Sequence, residues 1–328
     1  MIPVQSTTLT RPASATKAAD VAIIIVSYNT REMTLHCLHT LFDALPEINS
    51  EVWVVDNASV DGSVDAIREG FPQVQLIANV RNAGFGAANN QAMLQSKAEF
   101  FLLLNSDAFI EPDTISHLQD YLRRNPGVAV CGPRLHSKDG SLQISCFRFP
   151  SPARAWLENL WVSAAFAHHP VVGDYRRWSH NTVRRVEFVV GACMIVRRVA
   201  YEQVGGFDET FFMYGEEADW QRRMHNAGWE VAFTPQARVT HLGGASGASQ
   251  QPAIERHLFD SLDYYERKHH GISGLISLRC AMVVGCLLRV LLWSAASLRP
   301  KMRTLAFARA KMHSWLLLRQ TLHWELRL

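Results

Sequence analysis

Apolar residues fall in short blocks along the first hundred positions, and the blocks alternate between two periods. Val21-Ala22-Ile23-Ile24-Ile25-Val26 is wholly apolar and mostly β-branched. A run of this length without polar alternation predicts a strand covered on both faces. Residues 31–45 then place Met33, Leu38, Leu41 and Leu45 at helical spacing. The alternation continues with strands predicted at 52–55, 74–78 and 100–104, and helices at 64–69 and 87–97. Strand–helix alternation of this kind implies the α/β class, with a parallel sheet joined by right-handed crossovers.

The pattern weakens over 133–185, where Pro150, Pro152 and Pro170 sit among aromatic and basic residues. Loops over an acceptor site are expected there. Regular structure is expected again as a strand at 186–191, a helix at 216–227 with Trp220, Met224 and Ala227 on one face, and strands at 231–233 and 238–240. Residues 243–252 read as a mobile loop rich in Gly, Ala, Ser and Gln, and no internal repeat is visible. These changes divide the chain into a flexible segment 1–20, a main domain 21–271 and a tail 272–328. The main domain divides further into two halves, 21–132 and 133–271.

In parallel sheets, ligands bind beyond the carboxyl ends of the strands. Each of the first four predicted strands ends in a polar cluster: Ser27-Tyr28-Asn29, Asp56-Asn57, Asn79 with Arg81-Asn82, and Asn105-Ser106-Asp107. A carboxylate at a strand end can hold a hard divalent cation against a diphosphate, which makes Asp107 the leading metal ligand; capping the following helix is its alternative role. Asp56 can accept the imide N–H of a pyrimidine base. Asp61 suits a turn or helix cap better. The run from Asn79 to Asn90 suggests a dinucleotide loop, but Asn89 stands where the third glycine of GxGxxG belongs, which argues against a dehydrogenase. Arg81 is better suited to a base or diphosphate. Glu216, Glu217 and Asp219 open a helix in an aromatic setting. They can serve the helix dipole, or, with mutually raised pKa values, supply a general base. His241 follows a predicted strand and is a candidate contact to metal or diphosphate.

Composition adds two constraints. The six cysteines form no CxxC pair, so neither a disulfide framework nor a cysteine zinc site is indicated. They fit a reducing cytoplasm, and the first twenty residues lack a signal peptide's apolar core. The net charge of +3 conceals an asymmetry: residues 275–328 hold nine Lys or Arg and one acid, so the remainder is acidic. That argues against nucleic acid as partner of the front domain.

Together these segments resemble the family 2 glycosyltransferases. The matching stretches are Val26-Ser27-Tyr28-Asn29, Val55-Asp56-Asn57-Ala58-Ser59 with Asp61-Gly62-Ser63, Asn82-Ala83-Gly84-Phe85-Gly86-Ala87-Ala88-Asn89-Asn90, Leu104-Asn105-Ser106-Asp107-Ala108, and Gly205-Gly206-Phe207-Asp208-Glu209 running on to Glu216-Glu217-Ala218-Asp219-Trp220. They are most similar to bacterial rhamnosyltransferases of cell-surface polysaccharide assembly. The resemblance implies a GT-A fold, a Rossmann-like and mostly parallel mixed sheet flanked by helices, with 21–132 as the nucleotide-sugar-binding half and 133–271 as the acceptor-binding half. It implies inverting transfer of a sugar, L-rhamnose from dTDP-rhamnose, to a lipid-linked saccharide, with Mg²⁺ or Mn²⁺. Ser27, Tyr28, Asp56, Arg81, Asn82, Asn105 and Asp107 would hold the nucleotide sugar, with Asp107 and His241 on the metal. Asn105 replaces the first acid of the family's DxD motif. Glu216 and Glu217 match its Glu-Asp pair; Glu217 is favoured as base, though the choice between them is open. Asp219 and Trp220 would lie behind them or near the acceptor.

The tail is apolar from 272 to 298, but Arg279 and Arg289 leave no uncharged run long enough to span a bilayer. Trp293, Trp315 and Trp324 lie among basic residues, a composition expected of helices in the membrane interface. The chain is therefore expected to be peripheral on the cytoplasmic face of the membrane, with a packed hairpin or a dimer interface as the alternative for the tail. Two other functions remain open: a nucleotidyltransferase acting on a sugar phosphate, and a non-catalytic membrane scaffold.

Overall fold

The computed structural model describes residues 18–45, 48–169, 171–175, 177–243, 251–299 and 302–322. Most of the lead-in 1–20, most of the glycine-rich stretch 243–252, and Trp324 lie outside the described residues.

The elements, in chain order, are β1 (Val21–Ser27), α1 (Arg31–Asp43), β2 (Ser50–Asp56), α2 (Ser63–Gly70), β3 (Gln75–Ala78), α3 (Phe85–Gln95), β4 (Phe100–Asn105), β5 (Ala108–Ile110), α4 (Thr114–Arg124) and β6 (Val128–His136). There follow β7 (Leu142–Gln143), β8 (Cys146–Phe147), α5 (Pro152–Asn159), α6 (Val162–Ala165), β9 (Arg184–Val186), β10 (Phe188–Val189) and β11 (Cys193–Arg197). The chain continues with α7 (Arg198–Val204), α8 (Glu216–Asn226), β12 (Glu230–His241), α9 (Gln251–Ala296) and α10 (Arg303–Leu322).

The main sheet runs β3-β2-β1-β4-β11-β6-β12-β5. Its first four strands are parallel, whereas β11 is antiparallel to both β4 and β6. Parity explains the uninterrupted apolar run of β1. Val21, Ile23 and Ile25 pack on one face against Leu38 and Leu41 of α1 and Leu118 of α4. Ala22 and Ile24 pack on the other, against Ala88 and Met93 of α3 and Trp220 of α8. Side chains alternate along a strand, so both faces of a doubly covered sheet must be apolar.

The second half differs from its sequence-based outline. The segment expected to be loops, 133–185, contains the end of β6 together with α5 and α6. The strand expected at 186–191 is broken into short pieces: β9 ends at Val186 and joins the main sheet beside β12, β10 pairs with β8 in a separate two-stranded sheet, and β11 enters the main sheet between β4 and β6. The two strands expected at 231–233 and 238–240 are one, β12, with an irregularity between Thr234 and Arg238 that masks its continuity. The changes among the strands share a cause: pairing with distant strands selects these segments, and no local period announces it.

Loop 205–215 holds the second half against the start of α3, and α9 braces that loop from behind through Ser261–Met213 and Tyr264–Asp208. The Gly205–Gly215 loop lies across the start of α3: Phe85 N–H donates to Phe212 O at 3.1 Å. Gly84, at φ +88° and ψ 170°, lies so close that a Cβ would stand 2.5 Å from Phe212 O. Asn90, which reads in the sequence as part of a ligand loop, pins the same loop. Its side chain accepts from Phe207 N–H and donates to Phe207 O, both at 2.9 Å. α9 bends at Gly271 (φ 68°, ψ −170°), where the tail was expected to begin. Before the bend it braces α8; beyond it, Trp156 of α5 donates to Ser277 Oγ at 3.1 Å.

Gly84→Ala combines a glycine-only backbone conformation with a main-chain clash. It is expected to lower unfolding free energy by about 2 kcal/mol or more, read from urea denaturation. A change within experimental error would show that the loop gives way freely.

Candidate active site

The pairing register of β1 puts Ser27 opposite Asp56 and Val26 opposite Asn105, and β2 puts Asp56 opposite Ala78. The polar strand ends thus share one edge of the sheet. A cavity of about 590 Å³ lies there, lined in part by Tyr28, Asn82, Asn105, Asp107, Glu217 and His241. It is also bounded by Phe147, Phe212, Tyr214 and, from α9, His257, whose ring stacks on Phe212 at 4.6 Å.

Not every expected residue reaches it. Ser27 is fully buried, and its hydroxyl bonds to Thr30 and Thr34 at 3.3 and 3.0 Å. Thr30 in turn meets Ser106 at 3.1 Å, so this hydroxyl cluster ties β1 to the end of β4. Arg81 is exposed and outside the cavity lining. Asp56 is fully buried; Oδ1 accepts from Ser59 N–H at 2.8 Å, while Oδ2 has no partner among the described residues. An unsatisfied buried carboxylate oxygen is costly and calls for a donor.

At the end of β4 the residues converge. His241 Nδ1 bonds to Gln143 Oε1 at 2.7 Å, and Asn105 Nδ2 donates to His241 Nε2 at 3.4 Å. Gln143 Oε1 can only accept, so Nδ1 carries a proton, and in the neutral ring Nε2 then carries a lone pair. That nitrogen lies 3.2 Å from Asp107 Oδ1. Two acceptors this close repel unless a proton or cation lies between them. Carboxylate oxygen and imidazole nitrogen, with the imidazole oriented through its second nitrogen, suit a divalent metal. Among the described residues no three His, Cys, Asp or Glu side chains gather as a metal site. The donor set therefore fits a metal whose remaining ligands come from substrate oxygens and water. Gln143 was missed by sequence reasoning: it sits on a two-residue strand without any periodic signal.

Facing the same cavity is the start of α8. Tyr214 (φ 67°) and Gly215 (φ 83°) are consecutive left-handed residues that turn the chain into the helix, and Ser261 of α9 donates to Met213 O at 2.8 Å. Glu217 Oε1 accepts from Gly191 N–H at 3.3 Å. Burial raises the Glu217 pKa, partly offset by backbone N–H bonds including that of Gly191. Glu216 is more enclosed, and its Oε2 has no partner among the described residues. Burial, then the neighbouring Glu217 charge, pushes its pKa well above the usual carboxylate range.

The other acids of this region are clamped. Asp219 is fully buried and meets Lys268, His269 and Arg223 at 2.7, 2.8 and 2.9 Å. Burial alone would raise its pKa, but bonds from these three partners outweigh it and hold the carboxyl low. Trp220 Nε1–H donates to Gly205 O at 2.7 Å. Asp219 and Trp220 thus lie behind the cavity wall and hold α8 to its loop and to α9.

Residues 22–205 match the family described as glycosyl transferase family 2, and residues 179–244 match that described as the N-terminal domain of galactosyltransferase. The N-acetylglucosaminyl-diphospho-decaprenol L-rhamnosyltransferase of Mycobacterium tuberculosis is 29% identical over 260 residues, which cover 73% of this chain and 84% of that protein. The mannosyltransferase PcManGT of Pyrobaculum calidifontis, solved with GDP-Man and Mn²⁺, superposes over 94% of this chain and 87% of its own, with TM-score 0.52 and 18% identity. GalNAc-T7, solved with UDP, GalNAc and Mn²⁺, superposes over 68% of this chain but only 44% of its own, with TM-score 0.51 and 14% identity. These likenesses establish the GT-A fold.

The raised Glu216 pKa has a consequence for stability. Between the unfolded value, near 4.5, and the higher folded value, the folded state binds more protons than the unfolded one. Stability therefore falls as pH rises through that window. Glu216→Gln removes this loss. Its melting temperature is expected to exceed that of the parent at neutral pH, with the gap closing below pH 4.5. A gap that did not change with pH would contradict the assignment.

Proposed function

The chain belongs to glycosyl transferase family 2, and on that premise we propose that it is an inverting, metal-dependent hexosyltransferase acting on a lipid-linked acceptor. The observation that carries this reading is one cavity holding both the Asp107–His241 pair and Glu217. Asp107 and His241 would hold Mg²⁺ or Mn²⁺, with Asn105 beside them. A metal bound there would offset charge on the departing diphosphate. The unpartnered Asp56 oxygen would accept the imide N–H of a uracil or thymine base, with Tyr28 and Asn82 along the donor's path.

Glu217 takes the proton from the acceptor hydroxyl. The hydroxyl oxygen forms a bond to the anomeric carbon as the bond to the diphosphate breaks, and a nucleoside diphosphate leaves from the opposite face. A single displacement inverts that carbon. A carboxylate with a raised pKa is a better base than an ordinary glutamate, yet it must be ionised to act. Activity is therefore expected to fall on acidification through a midpoint above the ordinary glutamate value of 4.5. Glu216, more enclosed and pushed well above the ordinary carboxylate range by burial and by the Glu217 charge, would hold its proton rather than take one and would assist by its shape.

The likeness to the mycobacterial L-rhamnosyltransferase supports dTDP-rhamnose as donor and a polyprenyl-diphosphate-linked sugar as acceptor in cell-surface polysaccharide synthesis. The helices after Gly271 support a membrane-surface location on the cytoplasmic side. One helix, His257–Ala296, is long and apolar enough to cross a bilayer, with mean hydropathy 2.1 in its richest window. The uncharged-run argument missed this because it stopped at each arginine. Those arginines are engaged by protein: Arg279 Nη2 bonds to Asp263 Oδ2 at 2.6 Å, and Arg289 lies 4.7 Å from the Trp161 ring. Leu291 and Leu292, and Phe307 and Trp315 of α10, are exposed beside the basic residues. That arrangement favours an interfacial hairpin over a span.

In a donor screen with purified protein and Mn²⁺ or Mg²⁺, release of nucleoside diphosphate is expected with dTDP-rhamnose; pyrophosphate release from a nucleoside triphosphate would point to a nucleotidyltransferase. Asp107→Ala and Glu217→Gln are each expected to cut kcat by about a hundredfold or more, while Glu216→Gln retains most activity. Retained transfer in Asp107→Ala would remove the metal assignment, and loss confined to Glu216→Gln would move the base.

Replacing Leu291, Leu292 and Trp315 with Glu is expected to abolish flotation with anionic vesicles while leaving the fold intact by circular dichroism. Unchanged flotation would rule out the interfacial helices.

A further inference from the structure

A second cavity, of about 300 Å³, lies apart from the sheet edge and has no part in the chemistry above. Its lining includes Arg148, Arg177, Arg184, His168 and His169, against a single acid, Asp174. Three guanidinium groups against one carboxylate make the void attractive to an anion, and the two imidazoles add hydrogen-bonding nitrogens.

Its frame is preorganised. Arg154 Nη1 donates to Val172 O and Gly173 O at 3.0 and 2.9 Å, and Arg148 Nε to Gly173 O at 3.0 Å. These bonds fix the turn after His169. Gly173 is pressed so close that a Cβ would stand 2.3 Å from Ala167 O. His169 Nδ1 accepts from the Val171 and Val172 N–H groups, each at 3.2 Å, so the neutral ring carries its proton on Nε2 as a donor. Arg148 is committed to Glu187 at 2.7 Å. Arg177 and Arg184 have no ion-pair partner among the described residues, and both are exposed.

The aromatic walls narrow the ligand class. The Trp178 ring is stacked by His180 at 4.3 Å and covered by the Arg184 guanidinium at 5.2 Å. Tyr175 is covered by Arg148 and Arg184, each at 5.1 Å. A nucleobase would need an open ring face for stacking, and these faces are taken. What remains is a set of N–H donors suited to phosphate oxygens.

Position narrows it further. Phe147 lines the active cavity, and Arg148, the next residue, lines this one. On its other side the cavity is bounded by Ala167–His169, just beyond α6. α5, which leads directly into α6, packs on the apolar half of α9 through Trp156–Ser277 and Asn159–Arg289. The cavity therefore stands where the wall of the reaction site meets the segment seated on the apolar helix.

We propose that the Arg177–Arg184 cavity is the binding site for the diphosphate of a prenyl-linked acceptor. It rests on the acceptor class proposed above, and its test does not depend on turnover. The full-length protein, with dTDP saturating the donor cavity, is titrated by calorimetry with geranyl diphosphate and, separately, with inorganic pyrophosphate. Geranyl diphosphate is expected to bind the parent and to lose about tenfold or more in affinity in Arg177→Glu, with Arg184→Gln showing the same direction. The affinity for dTDP should be unchanged in both variants. Equal geranyl diphosphate affinity in parent and variants would overturn the site. Binding of pyrophosphate but not of geranyl diphosphate would overturn the prenyl-linked source. If no nucleotide sugar supports transfer, the enzymatic reading falls, but these binding results keep their meaning.

Discussion

Val26 of β1 lies opposite Asn105 of β4, and Ser27 opposite Asp56 of β2. The candidate site depends on this pairing. Sliding β4 by one residue would exchange the faces of Phe101, Leu102, Leu103 and Leu104, and each face is already filled by its own helices. Packing thus fixes the register, and the register fixes how far Asn105 and Asp107 project. The hydroxyl cluster from Ser27 through Thr30 to Ser106 reinforces the same alignment from inside. Residues remote from the cavity thereby determine where the proposed metal ligand stands.

The acids of the second half divide according to what faces them. Asp208 and Asp219 are met by cationic or hydroxyl partners from α9, chiefly Lys268, and both are held below their ordinary pKa. Glu216 and Glu217 have no such cation and are held above theirs. The four side chains share one chemistry and lie within twelve positions of one another. Their different states follow from the presence or absence of a donor on the neighbouring helix. Groups driven apart in this way mark acid–base function more reliably than a cluster of acids does. The cost of leaving Glu216 without a partner is a loss of stability tolerated at the cavity wall.

The first half of the fold was legible because each element carries its own period: short β-branched runs, helical spacings, and a polar cluster at each strand end. The resemblance to the glycosyltransferase family rested on those same clusters. β11 and β6 were not legible in that way. Their apolar runs fit several pairings, and only contact with β4 and β12 selects one. At the site, Asn105, Asp107, Glu217 and His241 could be singled out by residue type and position. Gln143 could not, because its importance lies in one bond to His241 across 98 positions. Ser27 and Asn90 show the converse: both sit in motif positions, yet their side chains satisfy other protein groups.

α9 connects the two halves of the functional reading. Before Gly271 it supplies His257 to the cavity, Ser261 to the turn ahead of Glu217, and Lys268 and His269 to Asp219. Beyond Gly271 it presents Ile272, Ile276, Leu287, Leu291 and Leu292 outward, while Ser277 and Arg289 face α5 and α6. A helix used only as an anchor would need none of the first contacts, and one used only as a brace would have no reason to expose the leucines. Glycine at 271 permits the positive φ that separates these two directions. The element that grips the helix carrying the proposed base is thus continuous with the one that offers an apolar face. An acceptor held at a membrane surface by its lipid would meet a reaction cavity whose wall is built from the same helix.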